Sequence, residues 1–157
     1  MNDINQPFSD NLGGVLRFNF IDVNDVESID IAVNSMVLQA VTLKTAKQWF
    51  TGYGTRGSIG YSETPEITNA GTLYKRQFVA FCPKDGPDND DLFNEMRNKQ
   101  FIIDYTDGNG LRKLVGSLEE PLFFSASLNT KTNTPELAGH SISFYGDATY
   151  KAYVYIP

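Results

Sequence analysis

Phe101-Ile102-Ile103-Asp104-Tyr105-Thr106-Asp107-Gly108-Asn109-Gly110-Leu111-Arg112-Lys113-Leu114-Val115 is the run that sets the fold class. Two apolar segments flank a short cluster of Asp, Gly and Asn, the composition of a tight turn between antiparallel strands. Upstream, Val15 to Val23 alternates apolar and polar residues from Leu16 on, the period of a half-buried strand. Residues 31–43 are rich in β-branched side chains and read as one or two further strands. Leu73 to Phe81, Leu122 to Leu128, His140 to Tyr145 and Tyr150 to Tyr155 continue the pattern. One helix interrupts it, expected at about 88–98. Asp85-Gly86-Pro87 breaks the preceding strand, Asp88 is the expected N-cap, and Asp90 and Asp91 sit in the first turn, where the helix dipole favours anions. Leu92, Phe93 and Met96 fall on one face of that helix. Seven to nine strands with one short helix predict a mainly β chain, an antiparallel sandwich or barrel.

The chain of 157 residues is long enough for one core without disulfide or metal staples. Residues 1–14 read as an N-terminal arm and residues 15–157 as a single β-sandwich domain. The segment from Thr51 to Thr72, with Gly52, Gly54, Gly57, Gly60, Pro65 and Gly71, reads as a long glycine-rich loop. Loops beyond about 12–15 residues in a compact domain are usually functional, disordered or ordered by a partner. No apolar run approaches the roughly 18 residues of a membrane helix, and the first residues lack the basic and apolar regions of a signal peptide. One cysteine excludes an internal disulfide scaffold, and Cys82 with His140 cannot by themselves build a zinc site.

Net charge is −6, which argues against a general nucleic-acid binder. Its distribution is uneven. Residues 1–30 carry six acids against Arg17, residues 31–84 carry six bases against Glu63 and Glu66, and residues 85–157 return to an acidic excess. Such a layout can steer head-to-tail association of identical subunits; solvation of outward strand faces is the plainer account of it.

The motifs that suggest catalysis fail on context. Gly52-Tyr53-Gly54-Thr55-Arg56-Gly57 satisfies G-x-G-x-x-G, but Ser58-Ile59-Gly60-Tyr61-Ser62 does not open a helix and no βαβ unit surrounds it. The acids at Asp85 to Asp91 miss the spacing of a calcium loop, because Pro87 or Leu92 falls where an oxygen ligand is required. Capping accounts for them instead. His140 lacks an activated serine or cysteine partner, so it reads as a strand-edge histidine bonded to solvent or backbone. Glu119-Glu120-Pro121 reads as a turn. No catalytic residue, metal ligand or cofactor is expected, and the chain reads as no enzyme.

The C-terminal half resembles a known family. The run Phe101 to Gly116, the segment Glu119-Glu120-Pro121-Leu122-Phe123-Phe124-Ser125-Ala126 and the closing Gly139 to Ala152 resemble small tail or neck structural proteins of tailed phages and prophages of Bacteroides-type gut bacteria. The resemblance spans roughly residues 74–155 and carries no catalytic signature. It implies a virion protein, assembled in the host cytoplasm, whose partners are identical subunits in a ring and other tail or neck proteins. DNA would pass through the ring without specific binding, and no membrane is involved. On that reading Phe8, Leu12, Trp49, Tyr53, Arg56, Ile59 and Tyr61, from the arm and loop, are the expected subunit contacts. Asp22, Asp25, Glu119 and Glu120 are the expected lumen-facing acids. The other reading is a soluble β-sandwich binding module for carbohydrate or peptide, with Trp49, Tyr53 and Tyr61 as an exposed aromatic platform.

Overall fold

The computed structural model describes residues 12–31, 37–132 and 138–157. Among these, eleven strands and one α-helix run in the order β1 (Val15–Asp22), β2 (Val26–Ile31), β3 (Val37–Leu43), β4 (Phe50–Gly52), β5 (Gly60–Thr68), β6 (Gly71–Pro83), α1 (Pro87–Met96), β7 (Gln100–Asp107), β8 (Arg112–Val115), β9 (Leu122–Asn129), β10 (Gly139–Ala148) and β11 (Tyr153–Tyr155). A short 3-10 turn, Val23–Asp25, links β1 to β2. The strands join in the order β2-β3-β11-β8-β7-β9-β10-β6-β5, with β1 on the other side of β7 and β4 beside β1. Apart from the parallel pair of β3 with β11, the ladders are antiparallel. The sheet is sandwich-like and does not close, so β5 remains an edge.

β7 is the hub. Phe101 to Asp107 pair with β1, Ile103 to Thr106 with β8, and Gln100 and Phe101 with the start of β9. Because successive side chains alternate, β7 buries both faces. Phe101, Ile103 and Tyr105 enter a core shared with Phe18, Phe78, Phe93, Phe124, Ile142 and Phe144. Ile102 enters a second core with Ile21, Val26, Leu114 and Tyr155, against which Ile29, Val41 and Trp49 pack. The larger core is largely aromatic. Phe101 and Phe144 meet nearly edge-on, centroids 5.5 Å apart, a geometry worth about 0.5–1.5 kcal/mol beyond area burial.

Turn chemistry explains the register. Asp107 Oδ1 accepts from the backbone N–H groups of Asn109 (2.9 Å) and Leu111 (2.8 Å), and Gly110 supplies the left-handed φ of 82° that closes the β7–β8 hairpin. Gly116, at φ 95°, turns the chain out of β8; a Cβ there would meet the Phe101 carbonyl at 3.1 Å. β9 can therefore pick up β7 where β8 leaves it, and the sheet passes from one layer to the other.

Four expectations change. Leu16 is exposed, because a bulge between Val15 and Arg17 takes it out of the alternation. The N-cap of α1 is Gly86 rather than Asp88, with Pro87 opening the helix and no side chain capping it. Tyr150 to Ala152 lie outside β11. The glycine-rich stretch from Thr51 to Thr72 is mostly strand: β5 pairs with β6 from Gly60 to Thr68, leaving 53–59 as the loop. That shorter loop is held by its own subunit. Thr55 N–H donates to the Phe81 carbonyl (2.8 Å), and Ser58 Oγ accepts from Phe81 N–H (3.1 Å).

Candidate functional site

The β5–β6 hairpin is the most exposed regular structure. β10 pairs with β6 only from Tyr74 to Pro83, whereas the hairpin continues to Thr68 and Gly71. Its tip, residues 66–73, therefore runs past the last covering strand. Ile67 is 88% exposed there. An edge strand with free backbone groups is a template for another chain, and Pro65 in β5 limits that pairing by removing one donor. Lys75 and Glu66 form an ion pair across the hairpin at 2.6 Å.

The root of the hairpin is tied down by buried polar groups. Arg76 shares the face of Phe78 and Ala80, is buried, and donates from Nη2 to the Glu120 carbonyl at 2.8 Å. Its guanidinium lies over the Tyr150 ring. Opposite it, Glu63 accepts from the Tyr61 hydroxyl (2.9 Å) and from Ala152 N–H (2.7 Å). Burial, then the Glu63 charge and hydrogen bond, hold the Tyr61 phenol well above its usual range. Burial does the same to Tyr105, which Tyr61 contacts at 5.3 Å between centroids. A second pin lies on the other face of β7. Asp104, 2% exposed, accepts from Arg112 Nε (2.7 Å), Arg112 Nη2 and Asn19 Nδ2 (3.2 Å).

The expected contact residues separate. Leu12, Tyr53 and Arg56 are exposed. Ile59 is buried in the larger core, Tyr61 is half-buried beside Tyr105, and Trp49 is half-buried against the second core. Phe8 lies outside the described residues. Leu12 is docked: its N–H donates to Asn109 Oδ1 at 2.8 Å, and its carbonyl accepts from Asn109 Nδ2 at 3.2 Å. Trp49 and Tyr61 pack against different cores, so with Tyr53 they do not form one aromatic platform.

Three of the four expected lumen acids have partners within the subunit. Asp22 caps the 3-10 turn through Asn24 N–H (2.9 Å), Asp25 pairs with Lys47 (2.8 Å), and the Glu120 carboxylate accepts from Thr149 N–H and Oγ. Glu119 is exposed beside an opening also lined by Ile29, Leu118, Tyr150 and Tyr153. Lys44 likewise turns back, donating to the Asn24 carbonyl. Part of the acidic–basic layout of the sequence is thus neutralised inside the molecule.

Two arrangements were not expected from the sequence. An opening of about 200 Å³ beneath α1 is lined by Phe18, Phe20, Phe93, Phe124 and Phe144 with Tyr53 at its edge. Beside α1, Asp85, Asp90 and His140 converge, their ligand atoms all within 4.8 Å of one another. The separation of 55 positions between Asp85 and His140 hides this; the alternation His140, Ile142, Phe144, which puts the histidine on the core face, is the available signal.

The fold and surface define a mainly β, antiparallel, open-edged sandwich-like protein with a projecting hairpin. No protein-family model, curated protein or solved structure matches the chain.

Proposed function

We propose that the chain is a structural subunit of a phage tail or neck, assembling with copies of itself into rings around a DNA channel. The observation that carries this reading is the β5–β6 hairpin, whose tip outruns its own sheet and presents Ile67 to solvent at an open edge. A tip of this kind costs ordering entropy and exposes apolar surface, and a neighbouring subunit supplies the missing contacts. Exposed Leu12, Tyr53 and Arg56 are the remaining contacts of the expected set. The resemblance over residues 74–155 falls on most of β6 and all that follows, so it concerns the folded body rather than the tip. Net charge −6 suits a channel that phosphate must traverse without adhering. Exposed Glu119 is the expected acid best placed to act in this way.

The test is the mass of the purified chain in solution across concentration, with negative-stain images of the same samples. Rings or tubes are expected from the wild type, and folded monomers from Ile67→Glu or from a tip shortened between Glu66 and Leu73. A wild type that stays monomeric throughout contradicts ring formation by this chain alone. Normal assembly of both variants contradicts the hairpin contact.

A further inference from the structure

Asp85, Asp90 and His140 come together for reasons the register makes plain. His140 lies opposite Cys82 and Gly139 opposite Pro83, so the histidine flanks the point where the chain leaves β6 for α1. Asp85 stands in that connection and Asp90 in the first turn of α1. The His140 side chain is 4% exposed, whereas both carboxylates are about half exposed. The Phe93 ring meets the imidazole nearly edge-on, centroids 5.0 Å apart, which fixes the plane of the imidazole.

Within the cluster His140 Nε2 makes one long hydrogen bond, to Asp85 Oδ1, and none to Asp90. His140 Nε2 lies 3.3 Å from Asp85 Oδ1 and 3.8 Å from Asp90 Oδ1. A charge-assisted N–H to carboxylate bond is about 2.7–2.9 Å long, and 3.8 Å is no hydrogen bond. The 3.3 Å separation matches the edge, about 3.3–3.4 Å, of a tetrahedron of ligand atoms around an ion held at about 2.0–2.1 Å, whereas the half-exposed Asp90 carboxylate, at 3.8 Å, has to swing inward to reach the same ion. Neither carboxylate caps α1, and among the described residues neither is ion-paired to a lysine or arginine. Two carboxylates and a buried imidazole therefore face one another, and among the described residues the imidazole is the one basic group beside them.

We propose that Asp85, Asp90 and His140 form a binding site for one divalent cation of the zinc class. A neutral imidazole with two carboxylates is a nitrogen–oxygen donor set suited to such ions, whereas calcium and magnesium prefer oxygen alone. The exposed side of the carboxylates leaves room for water to complete the coordination. Bound there, the ion ties the β6–α1 connection to β10. Cys82 stands outside the ligand set, because its Sγ donates to the Tyr53 carbonyl at 3.2 Å.

The experiment uses the full chain, stripped with a chelator, titrated with Zn²⁺ by calorimetry and with Co²⁺ by visible absorption. One equivalent of Zn²⁺ is expected to bind and to raise the melting temperature, and Co²⁺ to give the d–d bands of a low-coordinate nitrogen–oxygen site. Asp85→Asn and Asp90→Asn should each weaken binding at least about tenfold, since even outer-shell partners of metal ligands are worth that much. His140→Gln should do the same; because it alters a buried side chain, the two aspartate variants carry the test. Asp88→Asn and Cys82→Ser should bind as the wild type does, and excess Ca²⁺ or Mg²⁺ should not displace Zn²⁺. Absence of saturable Zn²⁺ binding, or equal binding by the Asp85→Asn/Asp90→Asn double variant, would overturn the proposal.

Discussion

β7 and β5 are strands of eight and nine residues in opposite situations. β7 pairs with β1 on one side, with β8 and β9 on the other, and buries both faces. β5 pairs with β6 alone, and its outer half is exposed on both faces. The first strand carries the fold, because both cores meet on it. The second packs on the core only through its inner half and leaves its outer half exposed, the surface that the proposed function assigns to association.

The contrast predicts unequal mutational costs. Ile103→Ala in β7 should destabilise the chain by about 3–4 kcal/mol, the transfer and cavity cost of a fully buried aliphatic, read from urea unfolding. Asp104→Asn should cost about 2 kcal/mol, because Arg112 keeps its place but loses a charge-assisted partner and is itself only partly exposed. Ile67→Ala in β5 should change monomer stability by less than about 0.5 kcal/mol. A large loss at Ile67, or none at Ile103, would remove the distinction between the two strands.

The polar root of the hairpin adds a pH dependence. Burial and Glu63 raise the Tyr61 phenol, and burial raises Tyr105. Above the ordinary tyrosine value of about 10 the unfolded chain releases protons that the folded chain retains. Stability is therefore full below that pH and falls as pH rises through it. Urea midpoints measured from pH 8 to 11 should decline from about 10 upward, and Tyr61→Phe should make the decline shallower. A flat profile would contradict the buried phenols.

Much of β7 was legible because period-two alternation and the Asp-Gly-Asn-Gly turn are local signals. The helix was legible for the same reason, although its cap was not: Gly86 and Pro87 supply the entry geometry without an acidic side chain. β5 was hidden. Glycine, proline and threonine give Gly60 to Thr68 the composition of a loop, and only pairing with β6 makes it a strand. Arg76 was readable in principle, since alternation places it with Phe78 and Ala80, but a charged residue in a basic run suggests solvent. Ile59 and Tyr61, expected as contacts on the loop, both lead into the larger core. Asp85 and His140 meet only through the β6–β10 register.

The division of labour between β7 and β5 is tested most directly by hydrogen exchange on the chain at low and high concentration. β7 amides should be protected in both samples, while the outward amides of β5 and those of the 66–73 tip should slow only in the concentrated, assembled sample. Equal exchange at the tip in monomer and assembly would contradict the account.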